Sequence, residues 1–176
     1  MIFGFKESFG IEIELNTFFH DDFIGEGKFI VFINNMTYGI DMPYATTFFC
    51  IKDELLKYYS ESINADIKLT KYSGIEIARS YYGQNYSNIF LDAYDRDLLA
   101  RTKNLLTWSP ESAFDDGSYI IQIDEDDKIR LIGFKSCTKD ERYIVDEKST
   151  TELRIEKTVF KQILNKAYLY LMQFST

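Results

Sequence analysis

The sequence predicts an α+β fold: an antiparallel β-sheet with helices packed mainly on one face, and a helix at the C-terminus. Three observations carry that expectation. Apolar and polar residues alternate near both ends of the chain, which is the period of half-buried strands. Between them the period lengthens to that of a helix. The last stretch, Phe160, Ile163, Leu164, Ala167 and Leu171, keeps the i, i+3, i+4, i+7, i+11 spacing of a helix face, with Thr158 as its expected cap. By size the chain reads as one domain over residues 1–176, with no internal repeat, low-complexity stretch or linker.

The elements follow in order. Phe9, Ile11, Ile13 and Leu15 alternate with Gly10, Glu12 and Glu14, a strand with one polar face. Gly25-Glu26-Gly27 reads as a turn, and Lys28 to Ile33 as a strand buried on both faces, ended by Asn34-Asn35. The two strands make an antiparallel hairpin with a long loop from about Asn16 to Asp22. Phe48, Ile51, Leu55 and Tyr58 or Tyr59 form a helical stripe, with Thr46 or Thr47 as N-cap. Residues 60–92 carry little pattern beyond a short helix from Ser73 to Tyr82, with Gly83 as a left-handed cap. A helix is expected from Asp95 to Leu106, with acids at its start and Arg101 and Lys103 at its end. Trp108-Ser109-Pro110 breaks it, and Asp115-Asp116-Gly117 turns the chain. A second hairpin pairs Tyr119 to Asp124 with Lys128 to Phe134 across the polar turn Glu125-Asp126-Asp127. Leu153 and Ile155 between Glu152, Arg154 and Glu156 mark a further strand.

Composition narrows the function classes. Hydrophobic residues at 45% and charged residues at 27% exclude wholesale disorder and fibrous repeats. A net charge of −8 repels phosphate backbones, so no nucleic-acid partner is expected, whereas a basic protein would be attracted. The one histidine, His20, excludes chemistry that needs two imidazoles. Cys50 and Cys137 form no C-x-x-C pair and read as reduced thiols of a cytoplasmic protein. No window approaches the ~18 apolar residues of a membrane span, and Met1 to Glu7 lacks the shape of an export signal.

Candidate chemistry is sparse. Glu12 and Glu14 point the same way from one strand, as paired carboxylates in acid–base work or metal binding do. The solvated face of a strand is the simpler explanation, because alternation alone requires polar residues there. His20-Asp21-Asp22 lacks a second histidine for a metal site. Asp124-Glu125-Asp126-Asp127 resembles the start of a calcium loop, but Ile129 stands where glycine is needed and Lys135 where glutamate is needed. Gly25-Glu26-Gly27-Lys28 lacks the spacing of a phosphate loop. Tyr58-Tyr59 and Tyr81-Tyr82 are candidates for recognition aromatics or for core packing. No catalytic residue, metal or cofactor is expected.

Three stretches resemble one family. They are Met1-Ile2-Phe3-Gly4 shortly before the strand Phe9 to Leu15; Gly27-Lys28-Phe29 leading to Ile33-Asn34; and Phe114-Asp115 followed by Tyr119-Ile120-Ile121, an acidic turn and Arg130-Leu131-Ile132. In these the chain is similar to the Imm42 family of bacterial immunity proteins. It departs at Phe23-Ile24, where a tryptophan is expected, and at Ile33-Asn34-Asn35, where the turn would read Ile-Asn-Gly. The resemblance implies a cytosolic protein that binds and neutralises the toxin domain made beside it in a polymorphic, contact-dependent system. It implies no catalytic residues and supplies no contact residues. Charge alone nominates Glu12, Glu14, Asp115, Asp116, Asp124, Glu125, Asp126 and Asp127 as partner-binding residues, against a basic toxin such as a nuclease. The alternatives are a small-ligand binder or carboxylate-dependent enzyme built on Glu12 and Glu14, and a subunit of a larger assembly.

Overall fold

Nine strands and four α-helices make up a computed structural model that describes residues 1–16, 25–42, 46–60, 67–87, 96–103, 105–108, 110, 113–139 and 142–174. The α+β class is as expected, and the strands divide between two antiparallel sheets. The first has the order β1 (Ile2–Gly4), β2 (Phe9–Leu15), β3 (Glu26–Ile33) and β4 (Met36–Tyr38), with β5 (Thr46–Thr47) paired to the start of β3. The second has the order β6 (Leu106–Trp108), β7 (Ser118–Glu125), β8 (Lys128–Lys139) and β9 (Arg142–Glu156). The helices are α1 (Phe48–Ser60), α2 (Gly74–Tyr82), α3 (Arg96–Thr102) and α4 (Lys157–Met172). A short 3₁₀ turn, Ile67–Lys71, precedes α2, and a π-turn, Gly83–Ser87, follows it.

The alternation in β2 does what its period requires. Phe9, Ile11 and Ile13 are fully buried and meet Phe29, Val31 and Ile33 of β3 in a core shared with α1, α4 and the inner face of the second sheet. Burying these side chains supplies the main driving force, at roughly 1.5–3 kcal/mol each. Tyr58 of α1 stacks on Trp108 of β6 at 4.3 Å between ring centroids, and both are buried. The other face of the second sheet forms a separate core. There Ile121, Ile123, Ile132 and Phe134 pack against Ile77, Ala78, Tyr81 and Tyr82 of α2 and Leu98 of α3. The second sheet is therefore covered on both faces, and the residues that alternate with its apolar ones are buried too. Gln122, Asp124 and Arg130, with relative exposures of 3%, 4% and 1%, are held by partners described below.

Several expectations need correction. Glu26 and Gly27 are strand, not turn: Gly27 lies opposite Leu15, and a Cβ on it would sit 1.9 Å from the Glu14 carbonyl oxygen. Its glycine serves close backbone approach rather than a bend. The helix expected to reach Leu106 ends at Thr102; Leu106 pairs with Gln122 and Trp108 with Ile120, so burial against β7 overrides the helical spacing of the leucines. Gly83 is right-handed (φ −57°), and the chain continues into the π-turn instead of stopping. The last helix starts at Lys157 after Glu156, without a side-chain cap, and Thr158 lies inside it. Of the paired tyrosines, Tyr58, Tyr81 and Tyr82 are core, whereas Tyr59 is 38% exposed. The loop beyond Asn16, His20-Asp21-Asp22, Phe23-Ile24 and the side chains of Thr46, Thr47 and Cys50 lie outside the described residues. Asn34 and Asn35 end β3 with φ of 48° and 65°, a left-handed pair that asparagine tolerates.

Candidate functional site

The eight candidate acids fall in three separate places. Glu12 and Glu14 lie on the outer face of the first sheet, with Lys28 of β3 opposite Glu14 in the ladder. The ammonium of Lys28 stands 3.2 Å from Glu12, 3.4 Å from Glu14 and 3.1 Å from Asp41, and Lys6 adds a contact to Glu12 at 3.3 Å. Burial alone would push the Glu12 carboxyl up, but hydrogen bonds from Lys28 and Lys6, with their charges, outweigh it and hold it below the usual carboxylate range. The same cluster raises Lys28: burial works against its charge, and the hydrogen bonds to Asp41 and Glu12 overcome it. A general acid at neutral pH needs a raised carboxyl, so Glu12 is set up for ion pairing and not for proton transfer.

Asp115 and Asp116 occupy the turn before β7. The Asp116 carboxylate accepts from the Ser118 amide at 3.1 Å and pairs with Lys135 at 2.6 Å, while Asp115 is exposed. Asp124 to Asp127 sit at the opposite end of the same hairpin. Eight residues of β7 at ~3.3 Å rise separate the two groups by roughly 23 Å. Asp124, although buried, is matched by the ammonium of Lys157 at the start of α4. Glu125 accepts from Arg154 at 2.8 Å and lies 3.8 Å from Arg130. Asp126, in the left-handed region at φ 54°, and Asp127 are exposed at the turn. Among the described residues, no group of three or more His, Cys, Asp or Glu could hold a metal ion.

Sequence reasoning missed the residue that organises this end of the sheet. Arg130 is 1% exposed and donates to Glu152 through Nε at 3.0 Å and Nη2 at 2.8 Å. It also donates to the carbonyls of Leu69 at 3.1 Å and Tyr72 at 2.7 Å, so it ties the 3₁₀ turn to the sheet. Arg154 joins Glu152 and Glu125 into one network. The available signal was an arginine between Ile129 and Leu131 in an otherwise apolar strand, with an acid on the strand that follows. A second omission is the set of tyrosines around Tyr86. Its ring stacks on Tyr82 at 5.2 Å and lies 5.2 Å from Tyr119, which in turn stacks on Phe134 at 5.1 Å.

The fold is similar to the crystal structure of CdiI from Burkholderia dolosa AUO158, with a TM-score of 0.65 and 17% identity, over 97% of this chain and 99% of that one. Among curated proteins, no sequence matches. A family model described as Immunity protein 42 matches residues 1–170, which covers every element of both sheets and nearly all of α4. The chain belongs to the Imm42 family of bacterial immunity proteins, and is an inhibitor of a toxin rather than an enzyme.

Proposed function

We propose that the chain binds its cognate toxin domain in the bacterial cytosol and blocks it by covering its surface, with charge drawing the two together. The observation that carries this reading is the family match across residues 1–170. Supporting it, the net charge of −8 favours encounter with a basic toxin, for example a nuclease. Of the eight candidate acids, Glu14, Asp115, Asp126 and Asp127 are the ones a partner reaches most readily. Glu12, Asp116, Asp124 and Glu125 are closely engaged by internal cations. Among the described residues, no helix is long and apolar enough to cross a membrane. The test is co-expression with the C-terminal toxin domain expected from the gene adjacent to this one. Protection is expected; if cells die at the same rate with and without this chain, the reading is wrong.

A further inference from the structure

One face of the second sheet gathers tyrosines at the end away from its acidic hairpin turn. Where α2 passes into the π-turn, Tyr86 emerges 51% exposed, yet its ring is fixed by Tyr82 and Tyr119. π-turns recur at functional sites, because the inserted residue re-aims side chains at a cost to helix stability. Burial first, and then the hydrogen-bonded Tyr81, push the Tyr86 phenol well above its usual range, so it stays a neutral hydroxyl. Ladder register extends the face. Ser136 pairs with Val145, which belongs to the core under α2, so Thr138 and Tyr143, two residues further along, stand on the same side. There β7 has already ended, since its first residue, Ser118, pairs with Lys135. Tyr143 is 63% exposed on the projecting ribbon.

We infer that Tyr86, Tyr119 and Tyr143 form the surface on which the toxin docks, and that the matching toxin surface carries lysine or arginine side chains. This rests on the reading under Proposed function and adds the place and the chemistry. Binding energy at interfaces concentrates in a few aromatic anchors, and anchors already held by their neighbours lose little freedom on binding. Aromatic faces attract ammonium and guanidinium groups. Asp115, exposed in the turn just before β7, and the net charge of −8 add the complementary field. The exposed apolar side chains of α4 suit a basic partner less well. Leu169, 52% exposed, lies on α4, which carries Lys157, Lys161 and Lys166 and no acid over Lys157–Met172.

The experiment is calorimetric titration of the full chain with the purified C-terminal toxin domain expected from the adjacent gene. Tyr86→Ala and Tyr143→Ala are each expected to weaken Kd at least tenfold. Asp115→Lys should weaken Kd several-fold, and Leu169→Ser should bind as the unaltered chain does. Tyr143 belongs to neither core, so its substitution reads the surface even if Tyr86→Ala disturbs folding, which a thermal melt shows. Binding of Tyr143→Ala within twofold of the unaltered chain, or loss of binding in Leu169→Ser alone, overturns the inference and leaves the immunity reading standing. Failure of the unaltered chain to bind overturns both.

Discussion

Replacing Arg130 by methionine keeps much of the side-chain volume and removes a buried guanidinium with four hydrogen bonds, two to Glu152 and one each to the Leu69 and Tyr72 carbonyls. Breaking a buried ion pair from one side costs about 3–5 kcal/mol. Glu152 keeps Arg154 and is 25% exposed, which places its share at the low end. The two carbonyls lose their donor at about 1 kcal/mol each, and the buried methionine returns about 1 kcal/mol. The net is a loss of about 4 kcal/mol, or a fall in Tm of roughly 8–16 °C for a chain of this size. The pH dependence gives a second reading. Burial pushes the Glu152 carboxyl up, but Arg130 first, then Arg154 and the Gly74 amide, hold it below its ordinary value of 4.5. A carboxyl lowered in the folded state stabilises above its unfolded value, and that contribution disappears as pH falls through the folded value. In the methionine variant this contribution is largely absent at every pH. Melts followed by circular dichroism from pH 7 to pH 3 should therefore show the gap between the two proteins narrowing below about pH 4.5. A drop under ~3 °C at pH 7, or a gap unchanged across the range, refutes the assignment of Arg130 as the tie between the 3₁₀ turn and the sheet.

Other substitutions test other parts. Gln122 accepts from the Trp108 indole at 2.9 Å and donates to the Tyr58 carbonyl at 3.1 Å, so Gln122→Leu orphans two buried groups and should cost about 2–4 kcal/mol in urea unfolding. A Cβ on Gly133 would lie 2.3 Å from the Tyr38 ring, whose hydroxyl donates to the Ser149 carbonyl at 2.7 Å. Gly133→Ala should therefore lose about 2–3 kcal/mol, and the loss should shrink when Tyr38 is replaced by leucine in a double-mutant cycle. Ser73 caps α2 in a reciprocal box with Glu76; Ser73→Ala should cost about 1 kcal/mol, visible as a Tm lower by about 2–4 °C. The Ser73 hydroxyl and amide hold the Glu76 carboxyl below its usual range, so the stabilisation from this cap is present at neutral pH and fades on acidification.

Where one face of an element alone decided its structure, the sequence was enough. β2, the first turn of the second hairpin and the stripe of α4 appear at or near their expected positions, because alternation and i, i+4 spacing are local consequences of which face is buried. The misses lie where a partner distant in sequence decides. Leu105 and Leu106 continue the helical spacing of Leu98, but the exposed backbone of β7 offers Leu106 a ladder, and pairing wins. Gln122, Asp124 and Arg130 alternate with apolar residues along the chain, and only the folded molecule shows them buried, with Trp108 and Tyr58, Lys157, and Glu152 as their partners. The tyrosine face was illegible for a related reason. Its members come from a π-turn, a central strand and a projecting ribbon, and no spacing along the chain links Tyr86 to Tyr119 or Tyr143.

Charge plays two separable parts in this molecule. Internal pairing leaves the net charge of −8 untouched, so every acid, paired or not, contributes to the long-range field that sets the rate of encounter. At about 0.15 M salt the field decays over ~8 Å, and once the partners touch only nearby charges act. Those held by Lys28, Lys135, Lys157 and Arg154 present a largely neutral pair to the partner and would have to be broken to help. Dissociation is then governed by what is fixed and uncovered at the contact, which on the second sheet is phenol and aromatic surface beside Asp115. It follows that salt should slow association broadly, whichever acids are mutated, while the lifetime of the complex should respond to Tyr86 and Tyr143 and hardly to Asp126 or Asp127.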